Sequence, residues 1–502
     1  MKPSIAQHYH DRTKYDPDTI AQKGKELDWQ SQPSPYKEYR VGTVYNLKDY
    51  LTPDRQPAQD GLLVRSWQRL SRFLLFSYGL TAKVPTWGGG YHYLRSSPSA
   101  GGLYPAEVYL VSGGTPILPA GLYNYQVRTH SLVGFWESAE VWTRLQGACF
   151  SHPLVGQTRL ALVLTAVFYR SAWRYEDRAY RRILLDTGHL LGNLELAGTL
   201  TGLRPYLIGG FGDRPLHDLL FLPPEEESPL VVVPLLEFQE EMPPNPMAVL
   251  ASPTTAAFPP LPDGQLLGFL HRCTAIETPL PIASSSQPVH RDKYNLPFGS
   301  RISTKTTPVF WGDNLAELES SLLKRRSTRQ FSSEPLELAE LKALLDFAYQ
   351  PRHYAEQGFD PAPDFFDLSL IETFVAVSAV EGLEDGCYYV APHTQELRQV
   401  RFKNFRAELH FLCLGQELGR DAGAVVFHTA DLGVAIQRYG DRAYRYLHLD
   451  AGHLGQRLNV AAIALGLGVS GIAGFFDQHV NEVLGIPDDE AVLYITTIGR
   501  PD

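Results

Sequence analysis

Arg325, Arg326, Ser327 and Arg329 put three guanidinium groups and a hydroxyl into one short run, LLKRRSTRQF. Planar guanidinium forks bind the oxygens of an anion two at a time, so such a run can hold a phosphate; the plainer reading is a solvated helix end. Pro98, Ser99 and Gly101 form a second group within RSSPSAGGLYPAEVYLV. Tyr175 and Tyr439 carry hydroxyls able to donate a proton, whereas their neighbours Arg174 and Arg438 stay protonated near neutrality and cannot act as bases. His189 and His453 are acid–base types, but they recur in identical helical settings, which favours packing and hydrogen bonding. The Gly-rich TWGGGYHYL reads as a turn or active-site loop, because it lacks the G-x-x-x-x-G-K-[ST] spacing of a phosphate loop. Cys149, Cys273, Cys387 and Cys413 are isolated, with no metal-ligand spacing.

The elements that must position these groups occur twice. The stretch from Arg174 to Pro223 aligns without gaps on Arg438 to Pro487, with roughly 22 of about 50 positions identical. RYEDRAYR returns as RYGDRAYR, and Asp186, Gly188, His189 and Leu190 return as Asp450, Gly452, His453 and Leu454. IGGFGD returns as IAGFFD. A repeat this long and only twofold is no solenoid; it reads as a covalent version of a C₂ homodimer. The expected divisions are an N-terminal extension over 1–60 that wraps the body, a first copy over 61–240, a Pro/Ser-rich linker over 241–300 with a helical turn or two at Gln265 to His271, and a second copy over 301–502. In each copy the coarse order is helix, strand, strand, then helices, then a final strand, and its longest helix holds the repeated D-x-G-H-L. The class expected is α+β, a mixed sheet with helices on its faces, the two copies forming an intrachain pseudo-dimer.

With 44% apolar and 20% charged residues over 502 positions, the composition is that of a globular protein with room for several cores. The net charge of −10 argues against nucleic-acid or anionic-membrane partners. The longest apolar runs are shorter than the roughly 20 residues that span a bilayer, no secretory signal is visible, and scattered thiols suit a reducing compartment; a cytoplasmic location is expected.

Three motifs resemble the flavin-dependent nitroreductase superfamily, and within it the SagB/ThcOx-type dehydrogenases that make azoles in modified peptides. LLKRRSTRQF resembles the RRSxRxF motif that opens the fold; RSSPSAGGLYPAEVYLV resembles PSAGxLYPLEVYL; the twice-present RYxDRAYR…D-x-GHL block resembles the central helix. The resemblance implies FMN as cofactor, with Arg325, Arg326, Ser327, Arg329 and the terminal Arg500 at its phosphate and ribityl end. It places Ile472, Ala473 and Gly474 along the ring, the Ala473 amide donating to N5. It also implies NADH or NADPH as a transient electron donor and a small-molecule or peptide-derived substrate.

In such dimers the Pro-Ser motif comes from the opposite subunit. Copy 1 here has Pro98, Ser99 and Gly101 but shows TPDRQPAQD in place of the arginine motif; copy 2 has the arginines but shows PAPDFFDLSL in place of Pro-Ser. One composite site, and one FMN per chain, is therefore expected. SagB-type chains resemble one another in a Lys-Tyr pair where this chain has Arg174-Tyr175 and Arg438-Tyr439, which weighs against azoline oxidation. Three readings stand: an FMN-dependent oxidoreductase, a dehydrogenase of a peptide azoline, or a flavin-binding scaffold without catalysis.

Overall fold

The computed structural model describes residues 3–23, 26–51, 61–86, 89–239, 243–245, 247–280, 292–297 and 299–502. TPDRQPAQD, most of PLPIASSSQPVH and the tip of the Gly-rich loop lie outside them. Two seven-stranded sheets share one topology. In the first, the strands lie in the order Thr43–Asn46, Ser131–Glu137, Ala120–Gln126, Ala106–Gly113, Leu160–Val167, Glu227–Glu237, Leu203–Pro205. In the second the order is Arg301–Ser303, Glu396–Phe402, Gly386–Ala391, Glu372–Val377, Ala424–Asp431, Glu490–Gly499, Gly468–Ile472. The orders agree strand for strand, so the α+β class and the two fused copies hold in three dimensions. Both sheets depart from a mixed one in that their described pairings are all antiparallel. Short reversals join Ala106–Gly113 to Ala120–Gln126 and that strand to Ser131–Glu137, as they do Glu372–Val377, Gly386–Ala391 and Glu396–Phe402, and only antiparallel neighbours allow those.

The long helices Ala179–Thr201 and Ala443–Ala464 lie against each other in the middle of the molecule, buried on nearly all sides. Their backbones meet at Gly188 and Gly452, the glycines of the repeated motif. A Cβ on Gly188 would stand 2.2 Å from the Leu449 carbonyl oxygen, and one on Gly452 2.3 Å from that of Leu185. The repeat therefore keeps glycine where the two halves touch.

Charge locks the same seam twice. Arg178 and Arg181 of copy 1 hold Asp477 of copy 2 at 2.8 and 2.6 Å; Arg442 and Arg445 of copy 2 hold Asp213 of copy 1 at 2.6 and 3.0 Å. Burial pushes both carboxyls up, but the guanidinium pairs outweigh it and hold them below the ordinary value.

The duplication also reaches beyond the aligned stretch. Helix Ile5–Arg12 sits in the N-terminal extension and helix Leu266–Cys273 in the stretch read as linker. Arg181 donates to the His10 carbonyl at 2.7 Å and to Thr13 Oγ1 at 3.1 Å; Arg445 donates to the His271 carbonyl at 3.1 Å and to Thr274 Oγ1 at 2.7 Å. Each copy thus brings its own short helix to cap the seam.

Candidate active site

A cavity of about 380 Å³ opens at the seam, within the usual range for small-molecule sites. Copy 1 supplies the loop Pro98–Gly101 after the hairpin Leu80–Pro85/Tyr91–Arg95. Copy 2 supplies Ser327 and Arg329 from the arginine run, and Ile472, Ala473 and Gly474 from the end of its edge strand. Eight of the eleven expected cofactor residues, Pro98 among them, therefore meet in one place, although they come from halves of the chain hundreds of residues apart.

Local chemistry explains the loop's path. Ser99 Oγ donates to Asp186 Oδ2 at 2.5 Å and accepts from the Tyr104 amide at 2.8 Å; the Ala100 amide donates to Asp186 Oδ1 at 3.1 Å. Gly101 has φ of +65°, and a Cβ there would lie 2.8 Å from the Tyr175 hydroxyl, so a side chain there would be strained and would displace the Tyr175 ring. Burial raises the Asp186 carboxyl to about 7, the hydrogen bonds from Ser99 and Ala100 offsetting part of the effect. Burial likewise raises the Tyr175 hydroxyl. His189 shares hydrogen bonds with Gln456 Oε1 at 2.8 Å and the Tyr494 hydroxyl at 2.7 Å; burial lowers it to about 3, so it lines the cavity as a neutral ring.

Guanidinium groups dominate the remaining wall. Arg174 and Arg329 are exposed and make no ion pair with a described residue, and Arg182 is buried with Nη1 lacking a partner among them. Asp186 is the one carboxyl among the lining residues, against the three guanidinium groups of Arg174, Arg182 and Arg329, so the cavity carries net positive charge. The amides of Ala473 and Gly474 also have no described acceptor. Such walls suit a planar ligand with an anionic tail, the shape of FMN.

Other expected site residues lie elsewhere. Arg325 is buried behind the cavity and donates to the carbonyls of Arg95 and Ser96, so it anchors the strand end that leads into Pro98; burial lowers it to about 10. Arg326 donates to the Thr81 carbonyl at 2.8 Å and thereby holds the hairpin. Arg500 forms a two-pronged pair with Glu340 at 2.8 and 2.9 Å. None of the three lines the cavity. Tyr439 belongs to the other side of the seam, where its hydroxyl donates to Asp367 Oδ2 at 2.8 Å.

That other side is filled. The amides of Gly209 and Gly210, equivalent to Ala473 and Gly474, both donate to the Ala248 carbonyl, at 2.7 and 3.0 Å. Tyr446 stands where copy 1 has Arg182, and its hydroxyl donates to the Leu250 carbonyl at 2.9 Å. Phe366 stacks on Tyr446 at 5.1 Å and Phe365 on His453 at 4.1 Å. Arg438 pairs with Asp367 at 2.6 Å.

Sequence reading missed Arg182, Asp186 and Tyr15. Asp186 recurs as Asp450 and so looks purely structural, but Arg182 differs between the copies, and that difference was a usable signal. Tyr15 reaches the site from the N-terminal extension: its amide donates to Asp477 at 2.9 Å, and its ring lies under Arg178 and Arg182. Among the described residues, no group of three or more His, Cys, Asp or Glu is placed to hold a metal ion, and no helix is long and apolar enough to cross a membrane.

Fold and site together define a duplicated α+β protein with a cationic cavity at the seam. Residues 81–235 and 322–500 match the Nitroreductase family, and the chain belongs to that family. A nitroreductase-family protein of Methanocaldococcus jannaschii is 33% identical over 184 residues, covering 37% of this chain and 91% of that one. The crystal structure of a nitroreductase-family protein from Anabaena variabilis is 60% identical over 100% of both chains, with a TM-score of 0.93. The Microcin B17-processing protein McbC of Escherichia coli is 29% identical over 144 residues, 28% of this chain and about half (52%) of McbC.

Proposed function

We propose that the chain is an FMN-dependent oxidoreductase with a single flavin site at the seam, using NADH or NADPH as electron donor and a small or peptide-derived acceptor. The observation that carries this reading is the contrast between equivalent backbone segments. Ala473 and Gly474 face a cavity with unengaged amides, whereas Gly209 and Gly210 are capped by Ala248. When bound, FMN would supply the chemistry of accepting and releasing hydride. Ser327 and Arg329 would hold its phosphate end, and the Ala473 and Gly474 amides would receive the edge of its ring. Tyr175, protonated at neutral pH, holds a proton at its hydroxyl for the acceptor. Asp186 keeps Ser99 and Ala100 in position. The test is the visible spectrum of freshly purified protein, with flavin released and counted per chain, followed by NADH and NADPH oxidation. About one FMN per chain with turnover is expected; a folded protein without affinity for FMN would overturn the reading.

Similarity to McbC favours a narrower reading, dehydrogenation of an azoline in a peptide. Arg174 and Tyr175 then stand at the site in place of a Lys-Tyr pair. A thiazoline-bearing peptide that loses two hydrogens with the enzyme and FMN would support it; no mass change would remove it.

A further inference from the structure

The two copies treat one glutamate differently. In copy 1, Glu107 stands opposite Thr165 across the sheet and pairs with Arg170 at 2.6 Å, both side chains buried. Arg170 is the third residue of helix Phe168–Tyr175. In copy 2 the equivalent residue is Glu372, opposite Thr429, but the third residue of helix Leu432–Tyr439 is Val434. The register is sound, because Thr165 and Thr429 donate to equivalent glutamates, Glu227 and Glu490. Glu372 keeps one hydrogen bond, from the Tyr389 hydroxyl to Oε2 at 2.7 Å, and pairs with no cation among the described residues.

The space around the two carboxyls differs as sharply. Beside Glu107 there is a crevice of about 10 Å³, with Arg95 in its wall. Beside Glu372 there is a cavity of about 560 Å³ that shares no lining residue with the seam cavity. Tyr349, Tyr389, Phe365 and Pro361 give it apolar and aromatic walls. Its other acid, Asp292, is already engaged by Arg398 at 3.4 Å, and the basic side chains that line it, Arg352 and His393, are exposed. Burial raises Glu372 to about 7; the Tyr389 hydrogen bond opposes this, Glu490 adds to it, and Lys293, whose ammonium is engaged by Glu490 at 2.5 Å, offsets a smaller part. A carboxylate desolvated in this way gains most from a cation brought by a ligand, and aromatic faces add to that attraction.

We propose that this cavity binds a small organic cation, an amine or guanidine on an apolar body, whose charge beside Glu372 takes the place of the guanidinium that Arg170 supplies in copy 1. The site does not depend on flavin binding. Calorimetric titration of the full chain with benzylamine, and with benzyl alcohol as its uncharged counterpart, tests it. Benzylamine should bind about ten-fold or more tightly than the alcohol, and Glu372→Gln should remove that preference. Val434→Arg, at a position 45% exposed, should weaken benzylamine by supplying the cation internally. Equal binding of amine and alcohol overturns the proposal. So does undiminished benzylamine binding in Glu372→Gln or, if that variant does not fold, in Val434→Arg.

Discussion

Asp186 sits in the cavity wall with two hydrogen-bond donors and no cation paired to it, and burial raises its carboxyl to about 7. Between its unfolded value near 4 and that value, the folded chain holds a proton that the unfolded chain releases. This group therefore favours the fold most below about pH 4, and the benefit is lost as pH rises through 7. Asp186→Asn should match the parent near pH 4 and exceed it at pH 8 by on the order of 2–4 kcal/mol, read from urea midpoints at the two pH values. Asp450, raised to about 8, contributes a similar slope to both proteins and cancels in the comparison. Under the FMN reading, Arg329→Ala should weaken FMN by about 1.5–3 kcal/mol in a fluorescence titration, the worth of a charge-assisted contact. Ser369→Ala, on the filled side where its hydroxyl donates to Asp367, should leave FMN affinity unchanged.

At the scale of elements, the paired arginines of each long-helix start decide how the copies dock. Asp477→Asn and Asp213→Asn each leave two buried guanidinium groups short of their counter-ion, so each should cost about 3–5 kcal/mol of stability in urea. Their effects on FMN should differ. Arg178, held by Asp477, also reaches the Ala473 carbonyl at 3.4 Å, so Asp477→Asn should weaken flavin binding, whereas Asp213→Asn should not. The long helices and their terminal strands were legible in the sequence because their apolar runs repeat. The helix Leu266–Cys273 was legible only as a turn or two, since a short helix in a Pro-rich setting earns its stability from the seam it caps.

For the whole molecule, duplication followed by divergence has left one open side and one filled side. FMN titration should saturate at one equivalent per chain. Phe366→Ala should not raise that number, because the Ala248 carbonyl still occupies the Gly209 and Gly210 amides; saturation at two would show that the side chain alone closes the second site. Glu372 and Val434 show a further divergence next to the filled side, where loss of one internal cation coincides with an open cavity that Phe365 and Ser369 also line.

Residue identity alone determined the duplication, the α+β class and the family, because these rest on patterns that survive reading along the chain. It also carried the complementary motifs, Pro98 to Gly101 in one copy and the arginine run in the other. Only the tertiary structure decided which guanidinium groups face the cavity. Arg329 and Arg182 do, whereas Arg325, Arg326 and Arg500 are consumed by carbonyls, Thr81 and Glu340. Neighbours in a run such as Arg325 and Arg326 point along different paths once the chain turns. Whether a charge meets a ligand or an internal partner depends on what distant segments bring beside it, as do the burial and raised carboxyl of Asp186.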